Sequence, residues 1–547
     1  MPTPVRVRSI AVIDEIEARM RRTAGRLAAL VPEVAGADLA DPVQLRAAAS
    51  RAAGAAALSR HVPAARAISD ELAALLAKAR PARDLPASAV AEVVSAEIER
   101  ALAGDDGALE RAAAWAAPLA GMIDEPEAAL ALARCWMATG EEDLADAAAR
   151  VAEHADGGIV RARALAALCA GSEERAERQE QALALARGVF ADVARGGLLP
   201  TGGIAAAEAD TGGSDPVADA QWAGLACDLW EAEGEMRYLD ALELTALNQM
   251  LFEQTDDGAA VAGRSLDGAR GKADDATGTG ALARSLAAAA DRVLMRASDE
   301  ALVAGLFSNA IALFSVGASD MRCIAATQIP VRGWVSWVFE PARETRMAAP
   351  VTAATHKSAR RQRMLASSQN AEAPAAAGGP APQTCAFRVR VPGWARQGQA
   401  APVVKVDGAK AGVKQAGDAL EFELRTDRAT KIEVIFEPKP AYIMRRCAAS
   451  WGAEVAVSYG PILLATSSIH NGGEGFAMPA RIVSDEKDLE LVADIRRRMP
   501  LVQAKVLGGT GRLLFSPVAE VGGIAGPPGG GGEVACAPFR AWHRRGR

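Results

Sequence analysis

The chain has 547 residues, of which half are apolar and 24% are charged. This composition is typical of globular proteins and excludes wholesale disorder and collagen-like repeats. Lys and Arg number 61 against 68 Asp and Glu, and the resulting net charge of −7 disfavours a strongly electrostatic nucleic-acid binder. No uninterrupted run of about 18 apolar residues is present to predict a membrane-spanning helix.

The cysteine pattern indicates a reducing compartment. The seven cysteines are odd in number and widely spread, and no two of them form a Cys-x-x-Cys pair. We therefore expect no disulfide framework and no zinc site built from cysteine alone. The apolar stretch Ile10-Ala-Val-Ile13 is too short for the core of a signal peptide. The sequence predicts a cytoplasmic protein without membrane or nucleic-acid partners, and it does not indicate the oligomeric state.

The first part of the chain has the composition of a helical domain. Residues 1–189 contain only two aromatic side chains, Trp115 and Trp136, and alanine dominates this region. Alanine has the highest helix propensity because it loses no side-chain entropy in a helix. Apolar residues also recur at helical spacing, as in Glu125–Met137. We predict an α/α helical barrel over residues 1–298.

A weak internal repeat supports an arrangement of helical hairpins. Residues 138–147 resemble residues 232–241, and each segment carries a glycine, Gly140 or Gly234, followed by acids. Such a glycine ends one helix in a left-handed conformation, and acids favour the start of the next. Repeated hairpins form an open solenoid or close into a ring. The same match is also expected simply from the way in which helix pairs are joined.

From about residue 300 the pattern changes to alternation of apolar and polar residues, which is typical of strands with one buried face. Turn sequences such as Asp407-Gly408 and Gly417-Asp418 separate these segments. The alternating segments are Cys385–Val391, Val403–Val406, Leu420–Leu424 and Lys431–Phe436.

The sequence therefore predicts an α+β multidomain chain. An antiparallel β-sandwich follows the helical barrel over residues 299–468, and a β-rich segment completes the chain over residues 469–547. Within the sandwich, residues 371–384 are rich in Ala, Pro and Gly and predict a flexible segment.

Seven short segments lie in order along residues 201–547: Thr201–Ile204, Tyr238–Asn248, Asp256–Gly258, Thr277–Gly280, Arg388–Trp394, Val455–Pro461 and Phe539–Gly546. Together they resemble glycoside hydrolase family 127, the β-L-arabinofuranosidase-like family. The clearest similarities are to its Thr-Gly-Gly-Ile-Gly loop, its Tyr-x-Asp-x-x-Glu helix and its Arg-x-Pro-Gly-Trp strand. Residues 1–125 show no recognisable match.

The resemblance implies an (α/α)6 barrel followed by β-sandwich modules, with hydrolysis of β-L-arabinofuranosides in the barrel mouth. The family's mechanism uses a zinc-bound cysteine thiolate as nucleophile and a glutamate as acid/base. A Glu-x-Cys pair and two adjacent cysteines supply the metal ligands, and the metal keeps the thiolate deprotonated.

These ligands are missing from this sequence. Asp215-Pro-Val217 stands where the Glu-x-Cys pair is expected, and Asp275-Ala276 stands where the two cysteines are expected. The five histidines are isolated, so a zinc site rebuilt from histidine is not expected either. We predict no bound zinc and no other cofactor.

Acidic residues occupy the neighbourhood of the lost ligands. Glu208 follows the Thr-Gly-Gly loop near the family's acid/base position, and Asp275 falls in the nucleophile position. If the loops align, Glu208, Asp215, Asp274 and Asp275 converge at one end of the barrel, and at least one has a raised pKa. Alternatively, Glu208 and Asp274-Asp275 are solvated loop acids. The substrate-binding candidates are Thr201, Gly202, Gly203, Asp215, Asp274 and Thr277.

Three functions remain open at this point. The first is a degenerate family member that keeps the fold and a possible carbohydrate ligand but has lost the zinc–cysteine machinery. The second is an active, metal-free glycosidase in which Glu208 and Asp275 form the carboxyl pair of a retaining enzyme. The third is a helical-repeat scaffold for protein interactions. The sequence does not indicate which sugar or linkage is bound.

Overall fold

The structure is a computed structural model, and it describes most of the helical region and the cores of the sheets. The described residues are 9–81, 84–156, 158–170, 177–199, 201–204, 214–262, 271–273, 277–298, 301–317, 319–342, 383–396, 401–445, 454–467, 481–482, 488–492, 501–505, 512–517, 533–534, 539–540 and 543–545.

Fourteen α-helices lie within these ranges, all but the last of them before residue 298. None of them is long and apolar enough to cross a lipid bilayer. They are α1 (Glu15–Ala35), α2 (Pro42–Ser59), α3 (Ala65–Leu76), α4 (Ala87–Leu102), α5 (Ala108–Ala116), α6 (Pro126–Thr139), α7 (Glu142–His154), α8 (Gly158–Ala170), α9 (Glu177–Asp192), α10 (Pro216–Glu233), α11 (Met236–Leu244), α12 (Leu251–Glu253), α13 (Gly278–Asp291) and α14 (Gly393–Arg396).

Six helices contact one another in a closed cycle, which we call the helix ring. Helix α2 packs against α4, α4 against α6, α6 against α8, α8 against α10, α10 against α13, and α13 against α2. Helices α1, α3, α5, α7, α9 and α11 each pack against a member of the ring. Helix α2 is buried on all sides from Ala47 to Leu58, because its many alanines let the neighbouring helices approach closely.

The two copies of the sequence repeat form equivalent helix joints. Gly140 ends α6 with a φ of 76°, and Gly234 ends α10 with a φ of 72°. The backbone N–H of each glycine donates to a tryptophan carbonyl four residues earlier, at 2.7 Å in both cases. Each left-handed glycine thus turns the chain from a ring helix into the next helix, which packs against it.

Helices α2 and α13 approach closely at two glycines. A Cβ at Gly280 would lie 2.3 Å from the carbonyl oxygen of Ser50, and a Cβ at Gly54 would lie 2.9 Å from the carbonyl oxygen of Gly280. The Ser50 hydroxyl also donates to the carbonyl of Thr277 at 3.1 Å. The segment Thr277–Gly280 therefore begins α13 and fits it against α2.

Replacing Gly280 with alanine should destabilise the protein by about 1–3 kcal/mol, because the new methyl group overpacks the contact with α2. Gly25→Ala in α1 is the matched control. A Cβ at Gly25 meets nothing within 4 Å, so this change should be neutral or stabilise the protein by up to about 1 kcal/mol. Chemical unfolding of both variants measures the difference. Equal stability of the two variants would contradict the close contact.

Twenty-four strands complete the described structure. They are β1 (Ser9–Val12), β2 (Val261–Ala262), β3 (Gly271–Ala273), β4 (Met295–Ser298), β5 (Ala301–Ala304), β6 (Ala310–Val316), β7 (Ser319–Thr327), β8 (Trp334–Pro341), β9 (Thr384–Arg390), β10 (Val403–Val406), β11 (Ala409–Lys410), β12 (Lys414–Ala416), β13 (Ala419–Arg425), β14 (Thr430–Ile435), β15 (Pro440–Arg445), β16 (Glu454–Tyr459), β17 (Ile462–Ser467), β18 (Arg481–Ile482), β19 (Glu490–Val492), β20 (Leu501–Lys505), β21 (Arg512–Pro517), β22 (Glu533–Val534), β23 (Phe539–Arg540) and β24 (His543–Arg545).

Two sheets share one core with the helices. One sheet has the order β1-β6-β7-β8-β14-β10-β11, and the other has the order β12-β13-β9-β5-β4. Phe387 on β9 bridges them, since its ring centroid lies 5.3 Å from that of Trp337 and 4.8 Å from that of Phe339. Among the described strands, all pairs are antiparallel except β5–β9 and β18–β24.

The C-terminal strands form a further sheet with its own core. Its central order is β18-β24-β16-β17-β21-β20-β19, with β15 paired to β16 and β23 paired to β17. The core contains Val457, Leu464, Val502 and Phe515, all fully buried. A small three-stranded sheet joins β3 to β2 and to the distant β22.

The four alternating segments of the sequence form β9, β10, β13 and β14. Asp407 and Gly408 have φ values of 50° and 82°, as the tight turn between β10 and β11 requires. Thr384, which the sequence placed in the flexible segment, instead begins β9 and pairs with Arg425. Of that segment, residues 371–382 lie outside the described residues.

The sequence did not predict strand β1. It lies in the region predicted to be a helical barrel, yet it pairs with β6 in the register Ser9↔Leu313 to Val12↔Ala310. Val12 is buried at this edge. The start of the helical region is thereby tied to a sheet of the later region.

Candidate functional site

The predicted catalytic pair lies outside the part of the chain that the structure describes. This applies to Glu208 and Asp275, and also to the substrate-binding candidate Asp274. Their convergence therefore stays a prediction. The other candidates, Thr201, Gly202, Gly203, Asp215 and Thr277, are described, and the structure shows what each of them contacts.

The Thr-Gly-Gly segment packs against the end of α11 and the turn that follows it. Gly202 has a φ of 82°, and a Cβ there would lie 2.9 Å from Leu244. The hydroxyl of Thr245 donates to the carbonyl of Gly202 at 2.8 Å. A Cβ at Gly203 would lie 2.4 Å from the side chain of Gln249. Both glycines are thus required by close packing within the protein.

Gln249 links Thr201 to Ser214 and Glu253 through buried hydrogen bonds. Its Oε1 accepts from the hydroxyl of Thr201. Its Nε2 donates to Ser214 Oγ at 2.7 Å and to Glu253 Oε1 at 2.9 Å. Ser214 Oγ donates in turn to Glu253 Oε1 at 2.6 Å. The network brings Thr201 close to Ser214, the neighbour of Asp215.

Two buried carboxyl groups lie at the centre of the network. Asp219 on α10 accepts the backbone N–H of Ile204 and lies within hydrogen-bonding reach of Glu253 on α12. Burial raises the pKa of both groups, and the charge of Asp215 raises each of them further. Because two ionised carboxylates repel strongly in a buried contact, we infer that the pair shares one proton.

The sequence did not predict this carboxyl pair. It predicted a raised pKa within a group of loop acids, whereas the raised values described here belong to Asp219 and Glu253. Two features of the sequence point to this pair. One is the spacing of Asp219, which lies one helical turn after Asp215. The other is Glu253 at the end of the apolar run Met250-Leu-Phe. Their oxygens accept hydrogen bonds from Ile204, Ser214 and Gln249, so the pair anchors the chain near residues 204 and 214 to α10 and α12.

Asp215 serves as the N-cap of α10. Its Oδ1 accepts the backbone N–H of Val217 at 2.8 Å. Asp41 caps α2 in the same way, by accepting the N–H of Val43 at 2.8 Å. The residues that the sequence comparison aligned with the family's Glu-x-Cys pair therefore form a helix cap in this chain, and the Val217 side chain offers no atom to a metal.

The residues present do not fit the zinc site that the resemblance implies. The described cysteines are buried, and burial raises the pKa of the Cys135 and Cys227 thiols to about 11. Such thiols stay protonated near neutral pH and are poor metal ligands. No group of three or more His, Cys, Asp or Glu within the described ranges could hold a metal ion.

Two of the other resembling segments join the helical region to the sheets. Arg390 on β9 is fully buried, and its Nη2 donates to Glu243 Oε1 on α11 at 2.5 Å. It also donates to Asp240, and its Nε donates to the carbonyl of Gly305 at 2.7 Å. Trp394 Nε1 donates to the second oxygen of Glu243 at 3.0 Å. The segments Tyr238–Asn248 and Arg388–Trp394 are thus joined by buried hydrogen bonds.

The remaining described segments have similar packing roles. Asn248 Nδ2 donates to the carbonyl of Pro461 at 2.9 Å, and its Oδ1 accepts the N–H of Leu463 at 2.7 Å. Gly258 has a φ of 92°, and a Cβ there would lie 2.2 Å from the carbonyl oxygen of Arg22 on α1. The segments that carry the resemblance therefore hold elements of the fold together.

Thr277 lies in the wall of a cavity of about 300 Å³, and none of the other described candidates is among the residues that line it. The cavity lies where α2, α4 and α13, three members of the helix ring, begin. Its lining residues are Pro42, Val43, Arg46, Ala47, Pro86, Ser88 and Thr277.

No protein-family model and no curated protein matches this sequence. Solved structures, in contrast, match it over its whole length. A family 127 β-L-arabinofuranosidase from Geobacillus stearothermophilus T6 has a TM-score of 0.74 at 13% identity, covering 98% of this chain and 100% of that one. A second family 127 β-arabinofuranosidase has a TM-score of 0.73 at 14% identity, covering 100% of this chain and 98% of that one.

A third structure, described as a glycoside hydrolase, has a TM-score of 0.71 at 11% identity and covers 100% of this chain and 98% of its own. These similarities confirm the resemblance that the seven short segments indicated. The chain therefore has the fold of the glycoside hydrolase family 127 β-L-arabinofuranosidases over nearly its whole length, at low sequence identity.

Proposed function

We propose that this chain is a carbohydrate-binding protein with the family 127 fold that does not use the family's zinc–cysteine chemistry. The observation that carries this proposal is the role of Asp215 and Val217, which form a helix cap where a metal-binding Glu-x-Cys pair is expected. The whole-chain similarity to glycoside hydrolases supports a carbohydrate ligand.

We further infer that the helix ring and the helices outside it form the (α/α)6 barrel, and that the two sheets joined at Phe387 form the β-sandwich. The closed cycle of contacts supports a barrel over the open solenoid of a scaffold protein. The domain division at residues 298 and 468 remains our proposal, and β1, β3 and β4 lie at or before residue 298 but pair with strands that follow it.

The chemistry of the expected zinc ligands supports the proposed loss of catalysis. Zinc sites of this kind depend on soft thiolate ligands, and Val217, Asp275 and Ala276 at the three expected cysteine positions supply none. The resembling segments, in contrast, make packing contacts and buried hydrogen bonds that the fold itself needs. A divergent protein can keep these contacts without keeping the reaction.

We expect the purified protein to contain no stoichiometric zinc, even after incubation with zinc followed by desalting. The reason is the absence of thiolate ligands at the expected positions. Elemental analysis of the full-length chain tests this. One zinc per chain that survives desalting would contradict both the assignment of these positions and the proposed loss of catalysis.

The metal-free glycosidase is the alternative. Asp275 in the nucleophile position and Glu208 near the acid/base position would form a retaining pair if their carboxyl groups lie about 5–5.5 Å apart. Such an enzyme needs no metal, so the zinc measurement alone does not distinguish it from a binding protein. A hydrolysis assay that compares the protein with its Asp275→Asn variant does.

Binding of the full-length protein to an array of furanoside and pyranoside glycans tests the proposed function. We expect saturable binding to a subset of the glycans, with the heat-denatured protein as the control. If no glycan is retained above that control, the carbohydrate assignment is wrong and the scaffold hypothesis is favoured.

A further inference from the structure

The cavity at the start of α2, α4 and α13, which we call the ring-end cavity, has the size of a small-molecule site. Its volume of about 300 Å³ lies at the lower end of the range for ligand pockets, roughly 300–1,000 Å³. A pocket of this size suits one sugar unit better than an oligosaccharide.

Arg46 supplies the charge in the ring-end cavity. Its Nε is buried without a hydrogen-bond partner, and no acid in the described ranges forms an ion pair with it. The nearest acid in sequence on α2, Asp41, is hydrogen-bonded to Val43 and Gln44. Arg51, further along the same helix, pairs with Glu33 at 3.1 Å. Arg46 therefore keeps a positive charge available to a ligand.

The surrounding backbone favours an anion as well. Helices α2, α4 and α13 have 18, 16 and 14 residues, and all three begin at the cavity. The N-terminal end of a helix carries a partial positive charge. Pro86 precedes α4 as its N-cap residue and provides no side-chain cap, and Ser88 lies in the cavity wall beside it. Asp41 already caps α2, whereas the ends of α4 and α13 lack a side-chain cap, and their dipoles add to the charge of Arg46.

The other walls are apolar. Pro42, Val43, Ala47 and Pro86 line the cavity, and Val43 is 75% exposed at its rim. Such walls suit the C–H face of a sugar ring, while a guanidinium matches the planar geometry of a carboxylate. We propose that the ring-end cavity binds a carboxylate-bearing monosaccharide unit, a uronate, through Arg46. The sugar part of this assignment rests on the proposed function, whereas the anion part rests on Arg46.

Calorimetric titration of the full-length protein with galacturonate and with galactose tests this proposal. The two probes differ at the carboxylate, so we expect galacturonate to bind at least about tenfold more tightly. Its affinity should also fall as the ionic strength rises, because the contact is partly exposed to solvent.

Arg46→Gln should weaken galacturonate binding by about tenfold or more, since it removes the charge-assisted hydrogen bonds. Arg46→Lys keeps the charge but loses the planar fork, so it should retain part of the affinity. Arg195→Gln is the matched control and should leave binding unchanged, because Arg195 is an exposed residue paired with Asp192. Within the described ranges no acid pairs with Arg46, so the variants should unfold at the wild-type temperature.

Absence of galacturonate binding, or binding that Arg46→Gln leaves unchanged, would overturn the proposal. Inorganic phosphate that binds as tightly as galacturonate would also overturn it, because the sugar ring would then contribute nothing. Failure here together with neutral glycans bound on the array would leave the proposed function standing. Arg46-dependent galacturonate binding supports the proposal whatever the array shows for neutral glycans.

Discussion

Replacing Arg390 with alanine should lower the free energy of unfolding by about 3–5 kcal/mol, the usual cost of removing one partner from a buried ion pair. Arg390 is fully buried and donates to Glu243, Asp240 and the Gly305 carbonyl. Burial raises the pKa of Glu243, and Arg390 is the cation that opposes this rise. Without it, Glu243 stays buried with an uncompensated charge or takes up a proton.

Arg388→Ala is the matched control for this experiment. Arg388 lies on the same strand, but its side chain is 45% exposed and pairs with Glu421 on the surface. Surface pairs of this kind contribute little to stability, so we expect only a small change. Denaturant unfolding of the two variants measures the contrast. Equal losses from Arg388→Ala and Arg390→Ala would contradict the assignment of Arg390 as the residue that joins the helices to the sheet.

Replacing Asp219 with asparagine should stabilise the protein at about pH 8 and flatten the pH dependence of its stability. The asparagine amide can donate to Glu253 while its oxygen still accepts the N–H of Ile204, as a protonated Asp219 does. The variant therefore keeps the hydrogen bonds to Glu253 and Ile204 without binding the proton that the wild-type pair shares.

The direction of this pH dependence follows from the raised pKa values. Their ordinary values are 3.8 for Asp219 and 4.5 for Glu253, and burial raises both in the folded protein. The folded state then holds a proton that the unfolded state releases, so wild-type stability falls as the pH rises above these ordinary values. The expected slope is about 1.4 kcal/mol per pH unit until the raised pKa is passed.

Unfolding measured between about pH 5 and pH 8 tests this dependence. Asp146→Asn serves as the control, because Asp146 is an exposed residue on α7 and its substitution should leave the slope unchanged. A slope that is the same in the wild type, Asp219→Asn and Asp146→Asn would show that Asp219 and Glu253 do not share a proton.

Much of the architecture could be predicted from local patterns. The excess of alanine predicted the helices, and Gly140 and Gly234 marked joints that the structure places at equivalent positions. Period-two alternation predicted four strands, and the Asp407-Gly408 turn has the positive φ values that such turns require. These features depend on neighbouring residues, so a single sequence contains them.

Other features depend on residues that are far apart in the sequence. Strand β1 is only four residues long, and its partner β6 lies about three hundred residues later, so no local pattern predicts their pairing. The contact of Asp219 with Glu253 likewise depends on how α10 and α12 pack. The resemblance to family 127 did predict a mixed helical and β fold, and its short segments make long-range contacts such as Arg390–Glu243.

We propose that the long-range contacts of the resembling segments have been kept in this chain while the zinc–cysteine chemistry has been lost. The most direct test is hydrolysis of an aryl β-L-arabinofuranoside by the full-length protein, with added zinc and, in parallel, with a chelator. We predict no turnover above the uncatalysed rate in either condition. Turnover that requires zinc would contradict the claim, and metal-independent turnover that Asp275→Asn abolishes would establish the carboxylate-pair enzyme instead.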